Sequence, residues 1–386
     1  LKTSKILAVA AAVALCGGTA FAQVTPAAGY TPPDDTPKFN IGSVIYTNYT
    51  YQDSPTAKDA DGNAIHPNSF EVTRAYINVT GNISHRLAWR VTPDISGRLS
   101  TSLTSTSTVT GGASAEKVTT TTTGGTNYDG NLVFRLKYAF AQYNLDDWLP
   151  KGSWVRLGQQ QTPYLDFMEG IYRYRFQGTT YVEREGYLSS SDVGLSAHFS
   201  LPNEYGDIHA GFYNGDTYTK AEANDQKAFQ IRGTLRPLAH TPVWKGVRLT
   251  AFYDADKPIK SGARNRFVGS ATFEHKHVNL GFDYLDTKDQ SSGKAGTPDL
   301  KGEGWSVWVT PRLDNGLEGF FRYDSTKPSK TVDARKKRTI AGISYWFPSQ
   351  KKDAMAVFAD LEKVDYDTAL AKPNEKRFSL HCLVAF

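Results

Sequence analysis

Cysteine is nearly missing from this chain: only Cys16 and Cys382 occur in 386 residues. Cys16 lies in a stretch that reads as a cleaved leader, so the mature chain has no internal disulfide and must be held together otherwise. No CxxCH motif occurs, which excludes covalently attached haem. Of the eight histidines, only His275-x-His277 is closely spaced, and no cysteine or carboxylate set at zinc spacing accompanies it. The stretch "DADGN" (59–63) lacks the glycine six positions in and the glutamate twelve in that a calcium loop requires. These absences leave no cofactor to expect. Beyond the leader there is no apolar run near the ~20 residues that a membrane helix needs. A strong charge bias is missing too: the formal net charge of +5 is too small to argue for nucleic acid. The helical period is almost absent.

The N-terminus carries Lys2 and Lys5, the apolar run Ile6–Leu15, and Ala20-Phe21-Ala22 before Gln23. That order predicts a signal peptide over 1–22, removed after Sec-type export. Leu15 before Cys16 argues against lipidation, because a small residue is needed there. The Pro-rich stretch 23–38 reads as an extended lead-in to a single unit over 39–386. Aromatics are plentiful, with 21 Tyr, 20 Phe and 7 Trp, although the mean hydropathy is −0.45. A chain that is polar on average yet rich in aromatics suits strands with one apolar and one polar face.

A two-residue period recurs along the chain. Phe39, Ile41, Ile45 and Tyr49 share a face, as do Ala75, Ile77 and Val79, and Leu87, Trp89 and Val91. Leu132, Phe134, Leu136, Tyr138 and Phe140 alternate with Arg135 and Lys137, and the closing Phe378, Leu380, Cys382, Val384 and Phe386 run to the last residue. Sixteen such segments can be counted, ending near 51, 79, 91, 140, 157, 201, 212, 235, 253, 273, 284, 309, 323, 347, 361 and 386. Short turns at 82–85, 146–153, 202–206 and 314–316 alternate with long polar segments at 52–69, 96–131, 215–226, 286–303, 325–336 and 365–375. The expectation is an all-β transmembrane antiparallel β-barrel of about 16 strands. A soluble β-sandwich is the alternative. It leaves unexplained the apolar positions at 41, 134, 231, 343 and 384 alike. A lipid-facing barrel accounts for an apolar face maintained to the chain end, since lipid can satisfy no open sheet edge. Tyr49, Tyr138, Trp305, Tyr345 and Trp346 are expected in aromatic girdles, and the threonine-rich 96–131 as low-complexity loop.

"FEVTRAYINVTGNISHRLAWRVTPDIS" (70–96), with Phe70, Arg74, Gly81 and Asp94, resembles the second and third strands of phosphate-selective porins of the O/P type. "VRLGQQQTPY" (155–164), "YVEREGYLSSSDVGL" (181–195), "AGFYNG" (210–215), "FQIRGTLRP" (229–237) and the final "LVAF" extend the resemblance over about 39–386. The resemblance implies a homotrimeric channel of the bacterial outer membrane. Its third external loop, here about 164–191, would fold inward as a constriction, and arginines and lysines would bind anions. It also makes the terminal Phe386 similar to the signal read by the barrel-assembly machinery. The loop holds Arg173, Arg175 and Arg184, but also Asp166, Glu169, Glu183 and Glu185. By count alone, four acids against three bases make a weak anion filter.

Alternation by itself assigns the polar faces. Arg74, Arg86, Arg90, Arg135, Lys137, Arg156, Arg232 and Arg236 dominate the first half, against Asp94, Asp192 and Asp207. In the second half, Arg248, Arg266, Arg322 and Arg377 meet seven acids, and Arg322 is expected to pair with Asp324. Arginine-lined pores attract anions, and guanidinium groups match phosphate oxygens bidentately. Nearly balanced walls instead give a transverse field with little selectivity. The leading function is passive diffusion of small hydrophilic solutes, with anion or phosphate preference open. Outer-membrane lipid and the assembly machinery are the other expected partners. Two alternatives belong to other classes: a barrel that sheathes or scaffolds a partner such as an electron-carrying protein, and an outer-membrane enzyme. No sequence-local Ser/His or Asp/His set supports the enzyme, so no catalytic residue or metal ligand is assigned.

Overall fold

The two-residue period closes on itself. The computed structural model describes residues 35–59, 61–96, 104–112, 115–123, 133–220, 222, 224–260, 262–290, 299–348 and 354–386. The expected signal, most of the lead-in and Leu132 lie outside them. Among the described residues, sixteen antiparallel strands form one closed barrel in sequence order. They are β1 (Lys38–Ser54), β2 (Asn68–Asn82), β3 (Leu87–Ser96), β4 (Val133–Asn144), β5 (Trp154–Gln161), β6 (Ser191–Ser200), β7 (Gly206–Tyr213) and β8 (Ala228–Leu235). The second half comprises β9 (Val247–Ile259), β10 (Gly262–His275), β11 (Val278–Asp289), β12 (Leu300–Pro311), β13 (Leu317–Lys327), β14 (Lys336–Trp346), β15 (Ala354–Tyr366) and β16 (Glu375–Ala385). The last strand pairs with the first, with Ile45 opposite Val384 and Tyr49 opposite Leu380. Ser43 N donates to Phe386 O at 2.8 Å and Phe386 N to Ser43 O at 3.0 Å, so the terminal residue itself completes the seam.

Closure leaves no sheet edge, and the alternation sorts side chains to two faces. Ile41, Phe134 and Ile343 point outward with about two thirds of their surface exposed (66%, 67% and 63%). Ser270, Asp283, Arg322 and Asp324 are buried within. Two segments expected as plain loops contain paired structure: a small hairpin joins Ala57–Lys58 to Ala64–Ile65, and Thr104–Gly112 pairs with Ala115–Thr123.

The inner face departs from the expectation of a polar wall. Phe252, Val268, Leu285, Trp308, Phe320, Ile340 and Phe358 all face inward and are almost fully buried. Each of these strands turns a large apolar side chain inward among its polar ones, so an apolar-out rule misplaces those residues.

A second departure comes from β-bulges. In β3 and β4, Thr92 lies opposite Tyr138 while Pro93 lies opposite Leu136, leaving Lys137 as an extra residue. The bulge reverses the parity of β4: Lys137 and Tyr138 both point inward, and Phe140 follows, contrary to the outward face read for the two aromatics. Tyr138 is therefore not a girdle residue. Neither is Trp346, which is buried inside the barrel, while Tyr49 and Trp305 remain on the outer face, half-buried.

Candidate functional site

The segment between β5 and β6 turns into the barrel. Gly158, in the Gly-x-x-x-x-Pro stretch, has φ of 126°, and a Cβ there would lie 2.4 Å from Ala139 O. Only glycine lets the two backbones approach this closely. Pro163 then opens helix α1 (Pro163–Ile171), a position that needs no N–H. Tyr164, Leu165, Met168 and Ile171 are buried against the wall. The Tyr164 hydroxyl lies 2.8 Å from both Asp283 Oδ1 and Ser270 Oγ, Arg232 Nε donates to Pro163 O at 3.0 Å, and Asn279 Nδ2 donates to the terminal carbonyl of Ile171 at 3.1 Å.

An aromatic run follows. Tyr174 packs on Phe320 (centroids 4.5 Å) and Phe358 (5.1 Å), Tyr172 meets Trp308 (5.4 Å), and Phe176 meets Trp346 (5.8 Å). These rings would otherwise face lumen water, so burial stabilises the loop by about 1.5–3 kcal/mol per fully buried side chain. Phe176 also reaches Tyr46 on β1, with centroids 6.4 Å apart. The short helix α2 (Tyr181–Arg184) completes the fastening. A Cβ at Gly304 would sit 2.0 Å from the Tyr181 hydroxyl, so a bare backbone position on β12 makes room for the loop.

Ion pairs account for every acid of the loop. Asp166 lies 4.0 Å from Arg156, Glu169 and Glu183 both hold Arg175 (2.8 and 3.2 Å), and Glu185 binds Lys336 (2.9 Å) and Arg338 (3.3 Å). The other loop bases lean on the wall: Arg173 on Glu318 (2.7 Å) and Arg184 on Glu362 (2.6 Å). Counting four acids against three bases therefore misjudges the loop. Each of its acids has a cation within 4.0 Å, with Glu169 and Glu183 dividing Arg175 between them.

The β2–β4 wall is different. Arg74 and Arg135 share one carboxylate, Asp94, at 2.5 and 2.9 Å. Arg90 donates to Asn78 Oδ1 (2.7 Å) and Thr92 Oγ1 (2.9 Å) and lies over the Tyr138 ring at 4.5 Å. Lys137, placed inward by the bulge, donates to the Tyr76 hydroxyl at 3.2 Å and sits 4.8 Å from that ring's centre. Among the described residues, neither Arg90 nor Lys137 has a carboxylate within 4.0 Å. Neutral hydrogen bonds and aromatic faces hold these cations, and the loop acids Asp166 and Glu169 act on them only from beyond direct contact.

The remaining wall candidates separate from this group. Arg156 is fully buried at the loop base, 3.6 Å over Trp154 and 4.6 Å over Phe140, with Nε donating to Gln142 Oε1 at 2.7 Å. Arg232 lies under α1, paired with Asp207. Arg236 lies past the end of β8, where it meets Glu204 at 3.4 Å and Lys245 O, so it belongs to the short-turn rim rather than the wall. Arg86 is a turn residue as well, paired with Asp147 at 2.7 Å. Arg322 takes its expected partner, Asp324, at 2.8 Å.

Beside the wall cations, Tyr46 and Tyr76 were not read as site residues, and Tyr138 was read as a girdle residue on the outer face. For Tyr138 a signal existed: Pro93 sits mid-strand, and an interior strand proline implies a bulge nearby. The fold also brings Ser196 within 3.2 Å of His209 Nε2, but the hydroxyl donates to Gln160 at 2.6 Å, and Asp207 contacts His198 instead. His209 thus lacks the orienting carboxylate of a nucleophile–base set.

No family model matches the sequence, and no curated protein matches it. Solved structures do. The chain is similar in fold to an anion-selective porin from Comamonas acidovorans, with a TM-score of 0.59 and 11% identity, covering 91% of this chain and all of that one. It is also similar to Salmonella typhi OmpF (TM-score 0.57, 12% identity, 91% and 98% covered) and to the outer-membrane channel DcaP of Acinetobacter baumannii (TM-score 0.54, 11% identity, 93% and 100% covered). The chain has the sixteen-stranded porin fold.

Proposed function

We propose that this chain is an outer-membrane porin that passes small hydrophilic solutes by passive diffusion, with a preference for anions. The observation that carries the preference is an imbalance of pairing. Every acid of the loop is ion-paired, with Glu169 and Glu183 dividing Arg175, while Arg90 and Lys137 on β3 and β4 have no carboxylate within 4.0 Å and Arg74 and Arg135 divide one. A confined aqueous path beside cations that hold no direct carboxylate partner raises the local anion concentration. The planar guanidinium edges of Arg74, Arg90 and Arg135 suit oxyanions such as phosphate, which supports the O/P-type reading of the sequence. The fold shared with porins supports the passive mechanism, and homotrimeric assembly belongs to the same reading. No step requires a catalytic residue.

The test is the reversal potential of the refolded protein in a planar bilayer under a KCl gradient, repeated with phosphate added. Anion preference with phosphate reducing the chloride current is expected. An ohmic conductance with a reversal potential near zero would remove the selectivity but keep the porin. Absence of conductance would remove the channel.

A further inference from the structure

The outer face of the barrel should be a continuous apolar surface, yet it is indented across β8–β11. On β8–β11 the outward positions Gly233, Ala251, Gly269 and Ala271 lie side by side in register, Gly233 opposite Ala251, Ala251 opposite Gly269, and Leu249 opposite Ala271. They form the floor of a depression of about 620 Å³, bordered by Leu249, Phe282 and Tyr284. A Cβ at Gly233 would meet no atom within 4 Å, and one at Gly269 would meet only the Phe267 ring, at 3.6 Å. These glycines are not required by crowding or by a positive φ. Glycine inside a strand sacrifices side-chain packing and often marks close approach of a ligand.

We propose that this depression holds an acyl chain of one anionic glycerophospholipid in the leaflet facing the short turns. The inference rests on the outer-membrane reading above. Three observations select the occupant. The floor is four small residues, whereas a stable protein partner needs about 20–30 residues a side. The depression lies in the short-turn half of the strands: Leu249 and Ala251 are near the start of β9, and Ala271 is near the end of β10. That end of a transmembrane barrel faces the periplasm. The rim directly below has the chemistry of a headgroup site. Trp244 is exposed and packs on Phe273 (centroids 5.6 Å), as an interfacial aromatic does. On the same rim, Lys245, next to Trp244 in the chain, and Lys276, in the turn between β10 and β11, have no carboxylate partner within 4.0 Å among the described residues, while Arg248 lies 2.9 Å from Glu274. Lys245 lies in the short 3-10 turn Trp244–Gly246 that leads directly into β9, four residues before Leu249. A phosphate at the lysines thus places its chain over the glycines.

The experiment refolds the full chain into vesicles of phosphatidylethanolamine and phosphatidylglycerol, extracts it in mild detergent, and counts retained lipids by native mass spectrometry. One phosphatidylglycerol per chain is expected. Gly233→Leu with Gly269→Leu fills the depression and should lower that occupancy at least tenfold, with heat-modifiable gel migration confirming the fold. Lys245→Gln with Lys276→Gln should keep one lipid but abolish the preference for phosphatidylglycerol. Retention that is indifferent to filling would overturn the site. Loss of oligomer mass on filling, with lipid unchanged, would assign the face to contacts between copies instead. Failure of the unaltered chain to enter vesicles would sink the membrane reading itself, a result distinct from either.

Discussion

Lys137 shows how one residue can set the character of a wall. Its inward position depends on a single extra residue in β4, and its ammonium group is held by a phenol and two ring faces rather than by an acid. Lys137→Gln should keep the fold and lower the chloride-to-potassium permeability ratio several-fold, and Arg90→Gln should act in the same direction. Unchanged reversal potentials in both variants would mean that the β2–β4 wall does not set selectivity. A different residue governs the short-turn rim, outside the membrane span. His85 lies between Asp35 (2.6 Å) and Asp147 (3.2 Å), and these hydrogen bonds raise its pKa above the ordinary 6.5, that to Asp35 contributing most. Both carboxylates are correspondingly lowered from 3.8, with the hydrogen bond to His85 the largest cause. The histidine's contribution is complete below pH 6.5 and is lost as pH rises through its raised value. The carboxylates' contribution is complete above pH 3.8 and is lost as pH falls through their lowered values. The His85 ring resonances should therefore titrate above 6.5, and Asp35→Asn should move the midpoint back down. An identical midpoint in the variant would disprove the contact.

Among the elements, the inward loop differs most from what alternation suggests. It is fastened by aromatic rings to a wall that is itself apolar, through Trp308, Phe320, Trp346 and Phe358. Removing Phe176 tests this anchor. Phe176→Ala should cost about 3–5 kcal/mol of local stability and release the loop tip from β1 and β14, which is read as larger open-channel noise and higher mean conductance in single-channel records. Quiet, wild-type-sized openings would show that the polar contacts alone hold the loop. The loop's place after the fifth strand was legible only through the resemblance of 155–164 to O/P-type porins. Its partners were not, because an inward aromatic such as Trp308, between the outward Val307 and Val309, cannot be told from a lipid-facing one by apolarity.

For the whole molecule, closure is the decisive fact. It joins residues more than 300 apart, and the register places Thr47 directly opposite Cys382 on the outer face. Opposed strand residues have Cα atoms about 4.5–5.5 Å apart, within the range of about 4.4–6.8 Å that a disulfide spans. Thr47→Cys should therefore oxidise with the native Cys382 and lock the first strand to the last. The check is a thiol titration of the oxidised, denatured variant together with its mobility on non-reducing gels. Two free thiols remaining after oxidation would contradict the seam.

The strand count, the outward apolar face and the closing role of the last strand were determined by the sequence alone, because the two-residue period is a local property of an extended chain. Pairing was not. Alternation located Arg74, Arg90 and Arg135 on the inner face, but which charges are neutralised depends on residues far apart in the chain, such as Glu185 with Lys336 and Arg338. The inward turn of Tyr138 required the break opposite Pro93. The apolar inner wall required the loop that covers it, since buried rings take their partners from wherever the barrel brings them.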